Sequence, residues 1–170
     1  ASDGMKVAIN VTAMILALVA LVAFIDWILG LGGMFCYKYI PGCSHLAFLS
    51  HLSLKLILGK IFAIFAIIIG VPLHDSSTVG ALMGTKLVLN EMVAYVGLTH
   101  VAQSLDPKSF MIASFALCSF GNFGSIAIQI GGIGELAPNQ KKNLARLGLR
   151  ALICGTLSCY LSAAIVGVLL

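Results

Sequence analysis

Charge is what this sequence has least of. Asp, Glu, Lys and Arg make up 9% of its 170 residues, against about 25% in soluble domains. That scarcity excludes an ordinary solvated surface. The remainder is 60% hydrophobic, with a mean hydropathy of +1.08. The net charge of +4 comes from bases scattered between apolar runs, which argues against nucleic acid and for membrane topology. The five cysteines include no CxxC pair and no Cys/His spacing suited to zinc, so no metal site is expected. Cys118, Cys154 and Cys159 fall in apolar runs and read as small packed hydrophobes. Cys36 and Cys43 flank a Pro-Gly turn, which leaves either a disulfide or two buried thiols open. No Ser/His/Asp or Cys/His arrangement for catalysis is present, and an enzyme is not expected. The opening "ASDGMK" has no basic leader and reads as an internal cut in a longer protein.

What is there is a series of apolar segments, and they predict an all-α integral membrane protein. Residues 7–25 carry no charge and extend to about Leu31 with only Asp26 interrupting, enough for the ~20 residues a span needs. Gly30, Gly32 and Gly33 predict its end, and Asp26 beside Trp27 fits an interfacial position. This spanning helix is assigned to residues 1–35. Residues 45–69 mix His51, Lys55 and Lys60 with a fully apolar second half and predict an interfacial helix ended by Gly70 and Pro72. Asp75, Ser76 and Ser77 are candidate N-caps for the next element.

The stretch "GTKLVLNEMVAYVGL" is apolar except at its centre, Asn90-Glu91. Non-helical backbone at membrane depth is tolerated only beside protein or a water-filled cavity, so residues 75–105 predict a re-entrant hairpin with Asn-Glu at its tip. Residues 109–134 have span length, but Gly121, Asn122, Gly124 and Ser125 crowd the centre and predict a discontinuous helix. Lys141, Lys142, Arg146 and Arg150 form the densest basic cluster and are placed inside. A last span over residues 144–170 then runs outward, leaving the Asp106-Pro107-Lys108 turn external and Lys6 inside.

An ionisable residue inside a membrane segment is a functional-site hypothesis by default. Glu91 and Asn90 in one element, with Asn122, Ser125 and Gln129 in another, offer a carboxylate, amides and a hydroxyl. That set suits a neutral ligand rich in hydroxyls, and Phe120 could face a base or a sugar. The plainer alternatives are Glu91 at the membrane surface, Asn122 and Ser125 as hydrogen bonds between helices, and Phe120 as packing. Lys86 could pair with Glu91 through solvent or snorkel away. The four histidines share no spacing and read as interfacial or structural.

At these residues a resemblance enters. "GTKLVLNEMVAY", then "SFALCSFGNFGSIAIQIGGIGELAP", and "GVPLHD" before both, resemble the C-terminal half of the concentrative nucleoside transporter family. The resemblance covers essentially the whole chain. It implies a cation-driven nucleoside symporter of the bacterial inner membrane, a homotrimer with a scaffold and a mobile transport domain working by alternating access. Residues 1–35 would then belong to the scaffold and residues 36–170 to the second half of the transport domain. It implies that Glu91 binds the ribose hydroxyls and that Phe120, Asn122 and Ser125 line the same site, with Asn90, Gly121 and Gly124 supporting. Met92 stands where the family usually has Phe, Leu73 where it often has Trp, and Gly124 where many members have Ser. The family's Gly-Gln-Thr-Glu-Ala-Pro hairpin, which belongs to an N-terminal half, does not occur in this sequence. The coupling cation, H+ or Na+, would be held mainly in that half, and no other cofactor is implied. A pore-like subunit and a purely structural membrane subunit remain the competing readings.

Overall fold

The structure, a computed structural model, describes residues 2–39 and 52–170. Among the described residues seven α-helices follow in chain order: α1 (Ser2–Tyr39), α2 (Leu54–Ile68), α3 (Leu73–Val88), α4 (Glu91–Val101), α5 (Pro107–Leu117), α6 (Phe123–Leu136) and α7 (Lys141–Leu169). Short 3-10 turns follow α4 and precede α7, and no strand occurs among the described residues. The fold is that of an all-α membrane protein. Among the described residues two helices are long and apolar enough to cross a bilayer, over Gly4–Lys38 and Pro138–Leu169.

Several boundaries differ from those expected. α1 runs through Gly30, Gly32 and Gly33 to Tyr39. Glycine weakens a helix by only ~1 kcal/mol against Ala, and continuing the helix satisfies backbone groups that hydrocarbon would leave unpaired. Asp26 is not simply an interfacial marker, since its Oδ1 accepts from the Leu54 N–H at 2.6 Å and so meets the start of α2. The described part of the expected 45–69 helix begins at Leu54, where the Ser53 hydroxyl accepts from Leu56 N–H at 3.1 Å. His45, His51 and Cys43 lie outside the described residues, and with them the Cys36–Cys43 pairing. α2 ends before Gly70, whose φ of 103° suits only glycine.

α3 begins at Leu73 behind Pro72, so none of Asp75, Ser76 and Ser77 is its N-cap. Asp75 is instead buried, and its carboxylate accepts from the Asp106 N–H at 3.0 Å. His74 Nε2 lies 3.0 Å from the Asp106 carboxylate. The start of α3 is thereby fastened to the start of α5. Of the three cysteines read as packed hydrophobes, Cys159 is buried and bonds the Phe115 carbonyl at 3.0 Å, whereas Cys118 and Cys154 are exposed.

The core lies between α2, α3, α4, α5 and α7. Ala66, Val79, Met83, Ala94, Ile112 and Ala163 are fully enclosed there. Phe62 meets Tyr160 edge-on, with ring centroids 6.1 Å apart. α1 stands largely outside this core and packs on α6, where Gly131 leaves room for Asn10 and Met14. Asn10 Nδ2 donates to Glu135 Oε2 at 2.9 Å across the same seam.

α2 and α3 cross at backbone contact. A Cβ on Gly80 would lie 2.4 Å from the Ala63 nitrogen and 2.7 Å from the Gly59 carbonyl oxygen. These are backbone atoms that cannot swing aside. Gly80→Ala should therefore cost about 1–3 kcal/mol or more as the helices are forced apart. Gly155→Ala, where nothing lies within 4 Å of the new Cβ, should be neutral or stabilising by up to ~1 kcal/mol. Thermal unfolding of the two variants in detergent checks this; equal midpoints would contradict the close crossing.

Candidate functional site

Two interruptions build the site. α3 and α4 are separated only by Leu89 and Asn90, and α5 and α6 by residues 118–122. Asn90 has extended backbone (φ −167°, ψ 173°), and its Oδ1 accepts from Val93 N–H at 2.9 Å. Asn122 does the same for α6 (φ −145°, ψ 168°), accepting from Ser125 N–H at 2.8 Å. Asparagine is among the strongest N-cap residues because its side-chain oxygen replaces one missing backbone acceptor. The sequence places an Asn at each interruption, and the chain restarts a helix at each.

The break is shifted relative to expectation. Gly124 and Ser125 lie within the first turn of α6, not in the gap, and the gap extends back to Cys118. The Asn122 cap accounts for this, since an N-cap forces helical backbone onto the three residues after it. Gly121 does sit in the gap, where a Cβ would meet Thr156 Oγ1 at 3.2 Å and Leu152 Cδ1 at 3.6 Å. Its lack of a side chain lets the break approach α7. A Cβ on Gly124 would come 3.1 Å from Asn122 Oδ1, tight against the capping oxygen.

The two helix starts face each other. Asn122 Nδ2 donates to Glu91 Oε2 at 3.0 Å. Ser125 Oγ reaches both Asn122 Oδ1, at 3.0 Å, and the Phe120 carbonyl. Asn122 is 4% exposed, Glu91 half-buried, and the Phe120 ring 78% exposed at the rim. Glu91 occupies the first turn of α4 and bonds the cap of α6, so the carboxylate lies at two positive helix ends, where negative charge is favoured. Among the described residues Asn122 is the one donor to Glu91, whose carboxylate offers about four acceptor positions.

A cavity of ≈ 550 Å³ opens at this point, bordered by Asn90, Glu91, Phe120, Asn122 and Ser125, and closed on the far side by α1 through Val19 and Asp26. Its walls are mostly apolar with a few convergent polar groups, the usual make-up of a small-molecule site. Glu91, Phe120, Asn122 and Ser125 therefore come together. Gln129 does not border this cavity; it lines a second hollow of ≈ 280 Å³ against α7, which Phe120, Asn122 and Ser125 also border.

Lys86 takes neither of the two places the sequence left open for it. It neither snorkels nor pairs with Glu91 through solvent; it is 0% exposed, and its Nζ donates to Ser119 Oγ at 2.5 Å. The signal was available. Val79, Met83 and Lys86 are spaced i, i+4, i+7, and the first two are core residues, so the third lies on the inward face.

Two interrupted helices that meet at a half-enclosed, mostly apolar cavity with a few convergent polar groups have the architecture of the discontinuous-helix class of membrane transporters. The chain belongs to the family described as the Na+ dependent nucleoside transporter C-terminus, whose profile matches residues 1–167. It is 46% identical to an uncharacterized transporter, YutK, of Bacillus subtilis over 98% of this chain and 39% of that protein. It is 38% identical to the nucleoside permease NupC of Helicobacter pylori, over 98% of this chain and 38% of the permease. Among solved structures, a CNTnw variant in an outward-facing state superposes with a TM-score of 0.84 at 39% identity, covering 99% of this chain and 40% of that one. CNTnw in an inward-facing substrate-bound state gives 0.70, also at 39% identity, over 98% of this chain and 39% of that one. The chain thus spans about two fifths of the length of these relatives. Membership of this family makes it an integral membrane protein of a transporter family.

Both caps can be weighed. Asn90→Ala and Asn122→Ala should each lower stability by about 0.5–2 kcal/mol, whereas Asn90→Ser, which keeps an acceptor, should lose only a few tenths. Thermal unfolding midpoints check this, and an Asn90→Ala protein as stable as the parent would rule out the cap.

Proposed function

We propose that this chain is the C-terminal half of a nucleoside–cation symporter and supplies the ribose-binding side of its substrate site. The observation that carries the reading is the Glu91–Asn122 contact of 3.0 Å at two facing helix starts, in a chain of a nucleoside transporter family. Ribose presents adjacent hydroxyls. A carboxylate can accept from two of them at once, and an amide can donate and accept beside it. Asn122 already fixes one carboxylate oxygen, which holds Glu91 in place before a ligand arrives. Ser125 completes the polar wall, Phe120 offers an aromatic face at the rim, and Asn90, Gly121 and Gly124 keep the two helix starts in register.

The reading extends to the whole protein. The base-reading residues and the coupling cation, a proton or sodium, are assigned to the N-terminal half. The assembly is a homotrimer in the bacterial inner membrane, with α1 in the scaffold and α2–α7 in the transport domain. Alternating access carries the nucleoside across. The better superposition on the outward-facing CNTnw structure than on the inward-facing one supports reading this conformation as outward-facing.

Hydrogen bonds to a charged group are worth about 1.5–3 kcal/mol. In the full-length protein Glu91→Gln should weaken uptake of radiolabelled ribonucleosides at least about tenfold. Substrates lacking the 2′- or 3′-hydroxyl should lose most of that sensitivity. Normal ribonucleoside uptake by Glu91→Gln would end the ribose assignment. Conductance without saturable competition by nucleosides would point to a pore instead.

A further inference from the structure

The substrate reading above leaves one charged group without a task. Lys86 is a fully buried lysine in an apolar core, and burying an ammonium is costly unless it is paired or hydrogen-bonded. It makes one side-chain hydrogen bond, to Ser119.

Its position explains its presence. Lys86 lies in the last turn of α3, and Ser119 lies two residues past the end of α5. The lysine therefore lies between the C-terminal ends of two helices, where partial negative charge collects, although the last carbonyls of α5 already accept from Tyr95, Cys118, Cys159 and Ser119. Ser119 N–H itself folds back onto the Leu117 carbonyl at 2.8 Å, tightening that end. Glu91 sits at the opposite pole, on the N-terminal ends of α4 and α6. Four helix ends thus meet in one small region, with a cation on the two negative ends and a carboxylate on the two positive ones. Broken membrane helices often satisfy their C-terminal ends with a bound ion; here a side chain of the protein occupies that role.

We infer that Lys86 is a built-in cation and a positioning residue for the substrate site, which by tethering the end of α3 to Ser119 holds Glu91 and Asn122 at bonding distance. Three residues separate Lys86 from Asn90 and two separate Ser119 from Asn122. A slip at the tether is therefore passed directly to the two caps. Lys86 touches no substrate in this scheme, and its effect is on the ribose contacts alone. The inference rests on the ribose reading of Glu91 given above.

The test uses the full-length transporter carrying Lys86→Met, which keeps length and apolar bulk but removes the charge, and Ser119→Ala, which removes the acceptor. Uptake of a ribonucleoside and of its 2′,3′-dideoxy analogue is measured for each. Lys86→Met should raise the ribonucleoside KM at least about tenfold, while the dideoxy KM stays within about twofold of the parent. Ser119→Ala should shift the ribonucleoside KM in the same direction by a smaller factor, and the double variant should be no worse than Lys86→Met, because the two share one interaction. A merely structural lysine would move both substrates together, and that result would overturn the inference, as would an unchanged ribonucleoside KM. If Lys86→Met does not accumulate in the membrane, Ser119→Ala decides by the same comparison: a selective ribonucleoside defect supports the tether, and an equal or absent effect overturns it. The two readings fail separately. Normal ribonucleoside uptake by Glu91→Gln removes the ribose assignment, whereas a Glu91→Gln defect with no matching defect at Lys86 or Ser119 removes only the tether.

Discussion

Four interrupted helix ends brought together inside an apolar protein are the constraint on which the rest of this structure depends. Every helix end leaves backbone donors or acceptors unpaired, and in hydrocarbon no water is available to take them. Here each kind of end has its own remedy. The starts of α4 and α6 are capped by Asn90 and Asn122 and share the Glu91 carboxylate. The last carbonyls of α5 accept from Tyr95, Cys118, Cys159 and Ser119, and the Lys86 ammonium lies between the ends of α3 and α5 through Ser119. Charges that would be expensive alone become acceptable because each lies on helix ends of opposite sign. The polarity that makes the site useful is thus the polarity that lets the interruptions exist.

The surrounding fold serves to hold those ends in register. α3 must lie flat on α2 to keep its C-terminal end fixed, and Gly59, Gly80 and Gly84 permit that by allowing backbone to meet backbone. At its other end α3 is fastened to α5 through Asp75 and the Asp106 N–H. The two elements that carry the interruptions are therefore joined both at their outer ends and at their tips. Gly121 then lets the break sit against Thr156 and Leu152 of α7, which gives the tips a floor.

What the sequence shows and what it hides divide along a physical line. Features set by local chemistry were legible. A charge in an apolar run marked the hairpin tip at Asn90-Glu91, and an Asn among glycines marked the break at Asn122. Both long apolar stretches became helices of spanning length. Features set by a neighbour in space were not. The glycines near Gly30 looked like a stop, yet a Cβ on Gly30 or Gly32 would meet nothing within 4 Å and α1 continues. Asp75 looked like a cap by its place before an apolar run, but its partner is the Asp106 amide, 31 residues away. Lys86 was open to pairing with Glu91 through solvent or to snorkelling away; its partner is instead Ser119, 33 residues on. Gln129 looked equal to Asn122 by residue type, but it lines the neighbouring hollow against α7 and not the cavity that Glu91 borders.

The distribution of contacts also bears on how such a half could move. The hairpin and the broken helix are tied at both poles by hydrogen bonds involving buried Lys86 and Asn122, and the hairpin and the first half of the broken helix, α5, share one core with α2 and α7. α1 shares little of that core. Asn10 bonds Glu135 and Asp26 bonds the Leu54 amide at its margin, and its packing on α6 runs past small residues such as Gly131 and Gly132. Exchanging a few polar contacts along a smooth helix face costs far less than opening a packed core. On the proposed transport reading, the sliding boundary would therefore lie between α1 and α6, and the substrate cavity lies on that boundary, with Glu91 and Asn122 on one wall and Val19 and Asp26 on the other. Movement there would change which side of the membrane the cavity faces while leaving the Glu91–Asn122 contact intact, so ribose could remain held while the route to it changes.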